Sequence, residues 1–513
     1  MAVALRLSAV TKKFGNFTAN SNISMSIEKG TIHAIVGENG AGKSTLTKMI
    51  YGMHLPTSGE LFIEGKSRRF ASPREAIRAG IGMAHQHFML VPELSVTENI
   101  ILGHEQSHLF SSLPLKNAKA TIKKDAETYG LAVDPDALVT TLSVGEQQRV
   151  EILKLLFRQA SIMIFDEPTA VLTPSERERL FETLRSLRSQ GKTIILITHK
   201  LDEVLSVADT ISVMRKGEIV GTVAASSVTK QELARMMVGR AVLTSVANPE
   251  ASPGKTVLSL KSLGYRTRQG EVKLQNLTLQ VRAGEIYGIA GVEGNGQSEL
   301  LQILWALTSG EEIISGEAVV NGASIFGKKT ADRVLMGIAY TPENRLRHAV
   351  ITDYTVAENL LFGRHRERFF HRGAGFNNHV VNRYADELIT DYDIRCGTPA
   401  KQPLSTLSGG NQQKVVLARE LNRPAISLLI LAQPTRGVDI GAIETIHKKI
   451  IAARDRGMAI LLVSSELEEI VTLSTRIGCI YKGFIRHEFS QEEVSAKKMD
   501  EQEFQKEIGF HIT

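Results

Sequence analysis

Cysteine is nearly absent: of 513 residues only Cys396 and Cys479 are cysteines, far apart and in no Cys-x-x-Cys pair. That excludes a disulfide framework or a zinc ribbon and fits a reducing cytoplasm. No uninterrupted apolar run reaches about 18 residues, so no helix is expected to span a membrane. The stretch from Met1 to Lys13 lacks the apolar core and small-residue cleavage site of a secretory signal. Charge of one sign is not in large excess either. A formal net charge of +6 fits ordinary surface charge and demands no nucleic-acid partner.

What is present reads as a soluble globular protein, 42% hydrophobic and 23% charged. Its length predicts two or more domains. The chain also repeats itself. Asn22 to Gly37 matches Asn276 to Gly291, Leu94 to Asn99 matches Tyr354 to Asn359, and Leu142 to Gln148 matches Leu407 to Gln413. The blocks keep their order, at an offset of roughly 254 to roughly 266 residues. A period this long is domain duplication, not a solenoid. Small residues, two prolines and a glycine mark residues 241–256 as a linker between a domain at 1–240 and another at 257–513. Each half alternates short β-branched runs with helical stretches. Ile32 to Val36, Ser161 to Phe165 and Thr193 to Thr198 are too apolar for half-exposed strands. The expected class is α/β with a mainly parallel sheet.

Gly37-Glu-Asn-Gly-Ala-Gly42-Lys43-Ser44 fits G-x-x-x-x-G-K-[ST] without a mismatch, after a predicted strand and before a predicted helix. Gly37, Asn39, Gly40 and Gly42 belong to a loop whose backbone N–H groups can curl around phosphates at a helix start. Lys43 is expected to reach the β- and γ-phosphates and Ser44 to ligand Mg²⁺, with Thr45 beside it in the same site. The strand Ser161 to Phe165 delivers Asp166 to the Mg²⁺ shell and Glu167 to the attacking water. The strand ending at Thr198 places His199 for a γ-phosphate contact.

Leu142-Ser-Val-Gly-Glu-Gln-Gln-Arg149 and Leu407-Ser-Gly-Gly-Asn-Gln-Gln-Lys414 resemble the signature of the ATP-binding-cassette (ABC) family, which reads L-S-G-G-Q. With the phosphate loops, the resemblance covers nearly the whole chain. It implies two tandem nucleotide-binding domains. Each would have a RecA-like, mainly parallel sheet core, an antiparallel β subdomain and an α-helical subdomain. It implies ATP and Mg²⁺ as cofactors, with Ser44, Gln86 and Asp166 around the metal, partly through water. It also implies an intramolecular sandwich in which Ser408, Gly409, Gly410 and Gln412 of the second signature meet the nucleotide held by the first half. By the same resemblance Gln86 is the glutamine that senses Mg²⁺ and couples to a membrane partner, and Phe14 is the aromatic that stacks on adenine. Asp439 is then the D-loop aspartate, and Thr173 stands where the first half would have its own.

The second half departs from that pattern. Gln297 replaces the phosphate-loop lysine, Ala432-Gln433 replaces the acid pair, Ser465 stands in place of His199, and Glu343 in place of Gln86. An amide is no base at neutral pH. In the sandwich, the defects of the second half and Val144 of the first signature would fall together. The intact parts would fall in the other site. One hydrolytic and one degenerate site are therefore expected, the former with Glu167, His199, Gln86 and Asp166 as catalytic residues.

A short linker and the lack of cysteine pairs argue against a soluble double-cassette factor of translation or DNA repair. Fused, unequal cassettes resemble bacterial simple-sugar and nucleoside importers. His85 to Pro92, Gly291 to Ser298 and Ala432 to Gly437 are most similar to the nucleoside branch. The resemblance implies a peripheral subunit on the cytoplasmic face of the inner membrane. Its partners would be two integral membrane permease subunits and an external substrate-binding lipoprotein, with no nucleic acid. A pentose or galactoside importer is the alternative.

Overall fold

The computed structural model describes every residue except 1, 16, 86, 87, 104–114, 170, 171, 173, 240–245, 247, 309, 374, 439, 498, 499 and 513. It also leaves aside the side chains of 174, 175, 440 and 502. The chain divides into two compact units, Met1–Val242 and Leu243–Thr513.

In the first unit, β-branched runs buried on both faces build the central sheet. Its spatial order is Ile81–Ala84, Ile162–Asp166, Thr193–Thr198, Ile32–Gly37, Thr210–Arg215 and Glu218–Ala224. All neighbours run parallel except the last pair. Alternation along each strand feeds two cores. Ile35, Ile164 and Ile195 join Leu5, Ile23 and Leu46 on one side. Met163, Phe165 and Leu196 join Val150, Leu153 and Phe181 on the other. The first side is closed by an antiparallel sheet made of Phe17–Glu28, Val3–Phe14, Ser58–Ile63 and Lys66–Arg68. The second is closed by helices that include Leu115–Tyr129, Val144–Phe157 and Pro174–Ser189.

The second unit repeats this plan strand for strand. Its central order is Ile338–Thr341, Leu428–Ala432, Ala459–Ser464, Ile286–Ala290, Arg476–Tyr481 and Phe484–Phe489, again parallel up to the last pair. Val272–Arg282, Thr256–Arg266, Ile313–Val320 and Ala323–Ser324 form its antiparallel layer. Two terminal helices, Gln491–Lys497 and Glu501–Ile512, add Phe504, Ile508 and Ile512 to the core that holds Cys479. The three strands expected in the first unit are present to within a residue at either end.

Within the proline-containing stretch 241–256, the described residues from Asn248 onward are tied to the second unit. The Asn248 amide donates to the Thr472 and Leu473 carbonyls at 2.7 and 3.1 Å, and the Gly254 N–H to the Ala283 carbonyl at 2.8 Å. In both units the parallel strands end on the same edge, and loops from those ends carry the polar chemistry, as expected where ligands bind beyond the carboxyl ends of a parallel sheet.

Candidate active site

Beyond Gly37 the chain turns through Gly40 and Gly42, with φ of 80° and 100°, and enters helix Lys43–Ile50. A side chain on Gly42 would meet the Ala19 carbonyl oxygen at 2.6 Å, and one on Gly37 the Met214 carbonyl oxygen at 2.4 Å. At Gly42 only glycine fits both the dihedral angle and the space, while at Gly37 the space alone excludes a side chain. Lys43 is buried, and its Nζ donates to the Gly37 and Glu38 carbonyls at 2.6 and 3.0 Å. The ammonium is thus folded back against the turn that precedes it. Asn39, Gly40 and Ser44 are exposed and Thr45 is half-buried. Phe14 is 45% exposed, with the Lys12 ammonium 5.0 Å from its ring centre. It is a surface aromatic, not a core residue.

Asp166 is buried at the end of its strand. Burial, and then the charge of Glu167, push its carboxyl up to about 6 against the pull of Lys43. Glu167 follows with φ 49°, a left-handed conformation that non-glycine residues seldom adopt. Its N–H donates to the Ile197 carbonyl at 2.8 Å, which locks the turn to the neighbouring strand. Its Oε1 lies 3.0 Å from His199 Nδ1. Burial raises the Glu167 carboxyl, but the hydrogen bond and charge of His199, with Lys43 and Lys200, outweigh it, and the net shift is downward. Glu167 is therefore a carboxylate at neutral pH, held by the His199 ring, an arrangement that can serve as base and orienter.

The second unit keeps this backbone and changes its chemistry. Gly294 and Gly296 turn with φ of 93° and 105°, and Gln297 Nε2 donates to the Val292 carbonyl at 3.0 Å. Gln433 has φ 50°, and its N–H donates to the Val463 carbonyl at 2.8 Å. Its Oε1 accepts from the N–H and the hydroxyl of Ser465, both at 3.2 Å. Three residues beyond Gln433, Arg436 forms an ionic cluster, bonding Glu343 at 2.7 Å and Glu293 at 3.3 Å.

The two signatures also differ in a way sequence reading missed. Ser143 caps helix Val144–Phe157 in a closed box. Its N–H and hydroxyl both donate to Glu146 Oε2, at 2.9 and 2.8 Å. These bonds hold the Glu146 carboxyl below its usual range, so a fixed negative charge sits at that helix start. Ser408 caps helix Gly409–Leu421 with neutral Asn411 as its partner, and both serines are exposed. The signal was available: Glu146 and Asn411 are aligned by the repeat. Gly410 is buried at that helix start. Gln412 is buried too and donates to the Leu404 and Leu407 carbonyls at 3.3 and 3.2 Å, bracing the turn before the helix. Gln86, Asp439 and Thr173 lie outside the described residues.

Comparison with known proteins points the same way. The family model described as ABC transporter matches residues 20–170 and 274–436. NupA of Lactococcus lactis subsp. cremoris, a nucleoside import ATP-binding protein, is 45% identical over 490 residues, 96% of this chain and 96% of that protein. NupO of Bacillus subtilis, a guanosine import ATP-binding protein, is 42% identical over 500 residues, 97% of each. TsgD13 of Haloferax volcanii, a glucose import ATP-binding protein, is 40% identical over 523 residues, covering 96% of this chain and 94% of that protein.

Proposed function

This chain belongs to the ABC transporter family, and we propose that it is the ATP-hydrolysing subunit that energises import of nucleosides across the cytoplasmic membrane. The observation that carries the ATPase half of this reading is the Glu167–His199 pair behind the Lys43 loop. The nucleoside half is supported by NupA and NupO, whose names specify nucleoside and guanosine import. The glucose relative at 40% identity favours a sugar importer as the second reading.

In this reading the glycine turn and Lys43 hold the β- and γ-phosphates, with Phe14 against the base. The residues present fit Mg²⁺. Asp166 is a buried carboxyl raised by burial and by its neighbour's charge, and a divalent cation between it and the Ser44 hydroxyl would favour its ionised form. Gln86 would complete that shell, and Mg²⁺ when bound offsets the charge of the phosphate oxygens. Glu167, already ionised, accepts the proton of the attacking water. His199 holds that carboxylate in line, its Nδ1–H donating to Oε1.

The hydrolytic site is shared between domains 1–240 and 257–513, joined by 241–256. Ser408, Gly409, Gly410 and Asp439 of the second would face the nucleotide held by the first, in an intramolecular sandwich. Gln433, Ser465 and Gln297 leave the other composite site without base, orienter or ammonium. Among the described residues no helix is long and apolar enough to cross a membrane. The partners proposed, on the likeness to import ATP-binding proteins, are two integral membrane permease subunits and an external substrate-binding lipoprotein, with this chain on the cytoplasmic face of the inner membrane.

The test is turnover of the chain assembled with its permeases. Glu167→Gln is expected to lower it by about 10²- to 10⁴-fold, and unchanged turnover would overturn the site. Cargo is read by binding to the external receptor, and tight binding of a sugar with none of a nucleoside would overturn the choice of substrate.

A further inference from the structure

Past helix Val356–Leu361 the second unit changes character. Residues 363–376 hold four arginines, no lysine and one acid, Glu367. The stretch that the repeat aligns with it in the first unit, residues 102–115, holds neither arginine nor lysine. One of the four arginines is committed to structure. Arg364 holds Glu367 with both arms of its fork, at 2.7 and 2.6 Å. It also lies over the rings of Phe370 and Tyr384, 5.1 and 4.9 Å from their centres. Phe370 is fully buried, and its carbonyl accepts at 2.8 Å from the N–H of Asn377, the cap of helix Asn378–Asp391. Beyond it His371–Arg372 and Gly375–Phe376 pair as two short antiparallel strands, and His371 Nε2 donates to the His365 carbonyl at 2.7 Å. The segment is thus pinned to the unit from within.

What it leaves outside is charged and apolar at once. Arg366, Arg368 and Arg372 are exposed, and none has a carboxylate within ion-pair distance among the described residues. Phe369 is 68% exposed and Phe376 49%. Phenyl rings held in water among unpaired guanidiniums form a patch, not a scattered apolar residue. We propose that Arg366, Arg368, Phe369, Arg372 and Phe376 form a docking surface for the anionic phospholipid of a bilayer. Charge complementarity selects this occupant. Lipid phosphates match the arginine fork, and the boundary of the acyl chains takes up the rings. Such a partner spreads its charge over a plane and needs no fixed pairing, which suits guanidiniums that the fold leaves without one. The proposal deepens the peripheral-membrane reading above and rests on it only for the presence of a membrane.

The experiment is sedimentation of the full chain with vesicles of phosphatidylcholine alone and of an equal mixture of phosphatidylcholine and phosphatidylglycerol. Binding is expected to the mixture alone, and to weaken as salt rises toward about 1 M, where screening reaches within ~3 Å. The triple variant Arg366→Ser, Arg368→Ser, Arg372→Ser is expected to lose about 100-fold in affinity for the mixed vesicles. Phe369→Ser should lose about 10-fold at every salt concentration. Melting should be unchanged in both, because the side chains replaced are exposed. Equal binding to both vesicles, binding to neither, or a triple variant that binds like its parent would overturn the proposal. So would a triple variant that keeps its vesicle binding but no longer assembles with the permeases in detergent, which would make the patch a protein contact. The salt series uses the native chain, so it decides the matter even where a variant does not fold. A chain that assembles with permeases yet ignores vesicles removes the lipid surface and keeps the importer. One that binds mixed vesicles but never assembles with permeases does the reverse.

Discussion

Glu167 and Gln433 occupy the same backbone conformation, φ 49° and 50°, and each donates its N–H at 2.8 Å to a carbonyl of the adjacent strand, Ile197 in one unit and Val463 in the other. The turn that presents the proposed catalytic carboxylate in the first unit presents an amide in the second. Gln433→Glu is therefore expected to fold like its parent, with unchanged melting. It should add no turnover, because Gln297, Ala432 and Ser465 still deny it a charged loop, a metal ligand and an orienting ring. Turnover of the chain with its permeases checks this. A second, equal rate on adding Ala432→Asp would overturn the asymmetry.

The serines at the two signatures should answer differently to truncation. The Ser143 hydroxyl is committed to Glu146, so Ser143→Ala is expected to cost about 1 kcal/mol of stability as a lost helix cap, with turnover kept. Both serines are exposed, but the partner of Ser408 is neutral. Ser408→Ala is expected to lower turnover by much more than its effect on melting. Parallel melting curves and rate measurements decide, and equal rate effects would count against the proposed division of labour.

Acid sensitivity has one identifiable source in the sheet of the first unit. His33 is buried on its strand, with Nε2 2.9 Å from Ser212 Oγ, and burial lowers its pKa to about 4. The unfolded chain, with the group near 6.5, takes up the proton more readily than the fold does. Stability from neutral His33 is therefore complete above about pH 6.5 and is lost as pH falls toward 4, by about 3 kcal/mol in all. His33→Leu should flatten that part of the stability–pH curve, measured by urea unfolding. An unaltered slope would place the sensitivity elsewhere.

Alkylation should distinguish the two cysteines. Cys479 is fully buried beside the terminal helices and burial pushes its thiol up to about 12, while Cys396 is partly exposed and only raised. A thiol reagent near neutral pH is expected to label Cys396 slowly and to spare Cys479 until denaturant is added. Mass mapping of the labelled peptides reads the outcome. Labelling of Cys479 in the native chain would show that the terminal helices open.

Much of the fold was legible because its strands are apolar on both faces, and the repeat showed the plan twice. The placement of the first unit's candidate residues was legible for a related reason. Lys43, Asp166, Glu167 and His199 each follow a strand end or a glycine turn, so sequence spacing fixes their place. Glu146 was not legible as chemistry, because its meaning depends on what it touches. Nothing in the string says that Ser143 spends its hydroxyl on Glu146. Gln412 differs again. Its place in the signature suggested a ligand contact, while its amide faces inward to backbone carbonyls.

The left-handed turn at Gln433 has a consequence for how this protein tolerates change. A non-glycine residue there costs on the order of 1 kcal/mol in backbone strain, and the second unit bears that cost without a carboxylate to present. The shape of the turn and the reactivity of its side chain are thus held by separate constraints. At Glu167 the two coincide and no replacement satisfies both. At Gln433 only the first applies, so a survey of substitutions should find the second turn open to any side chain that accepts the dihedral angle, with glycine foremost.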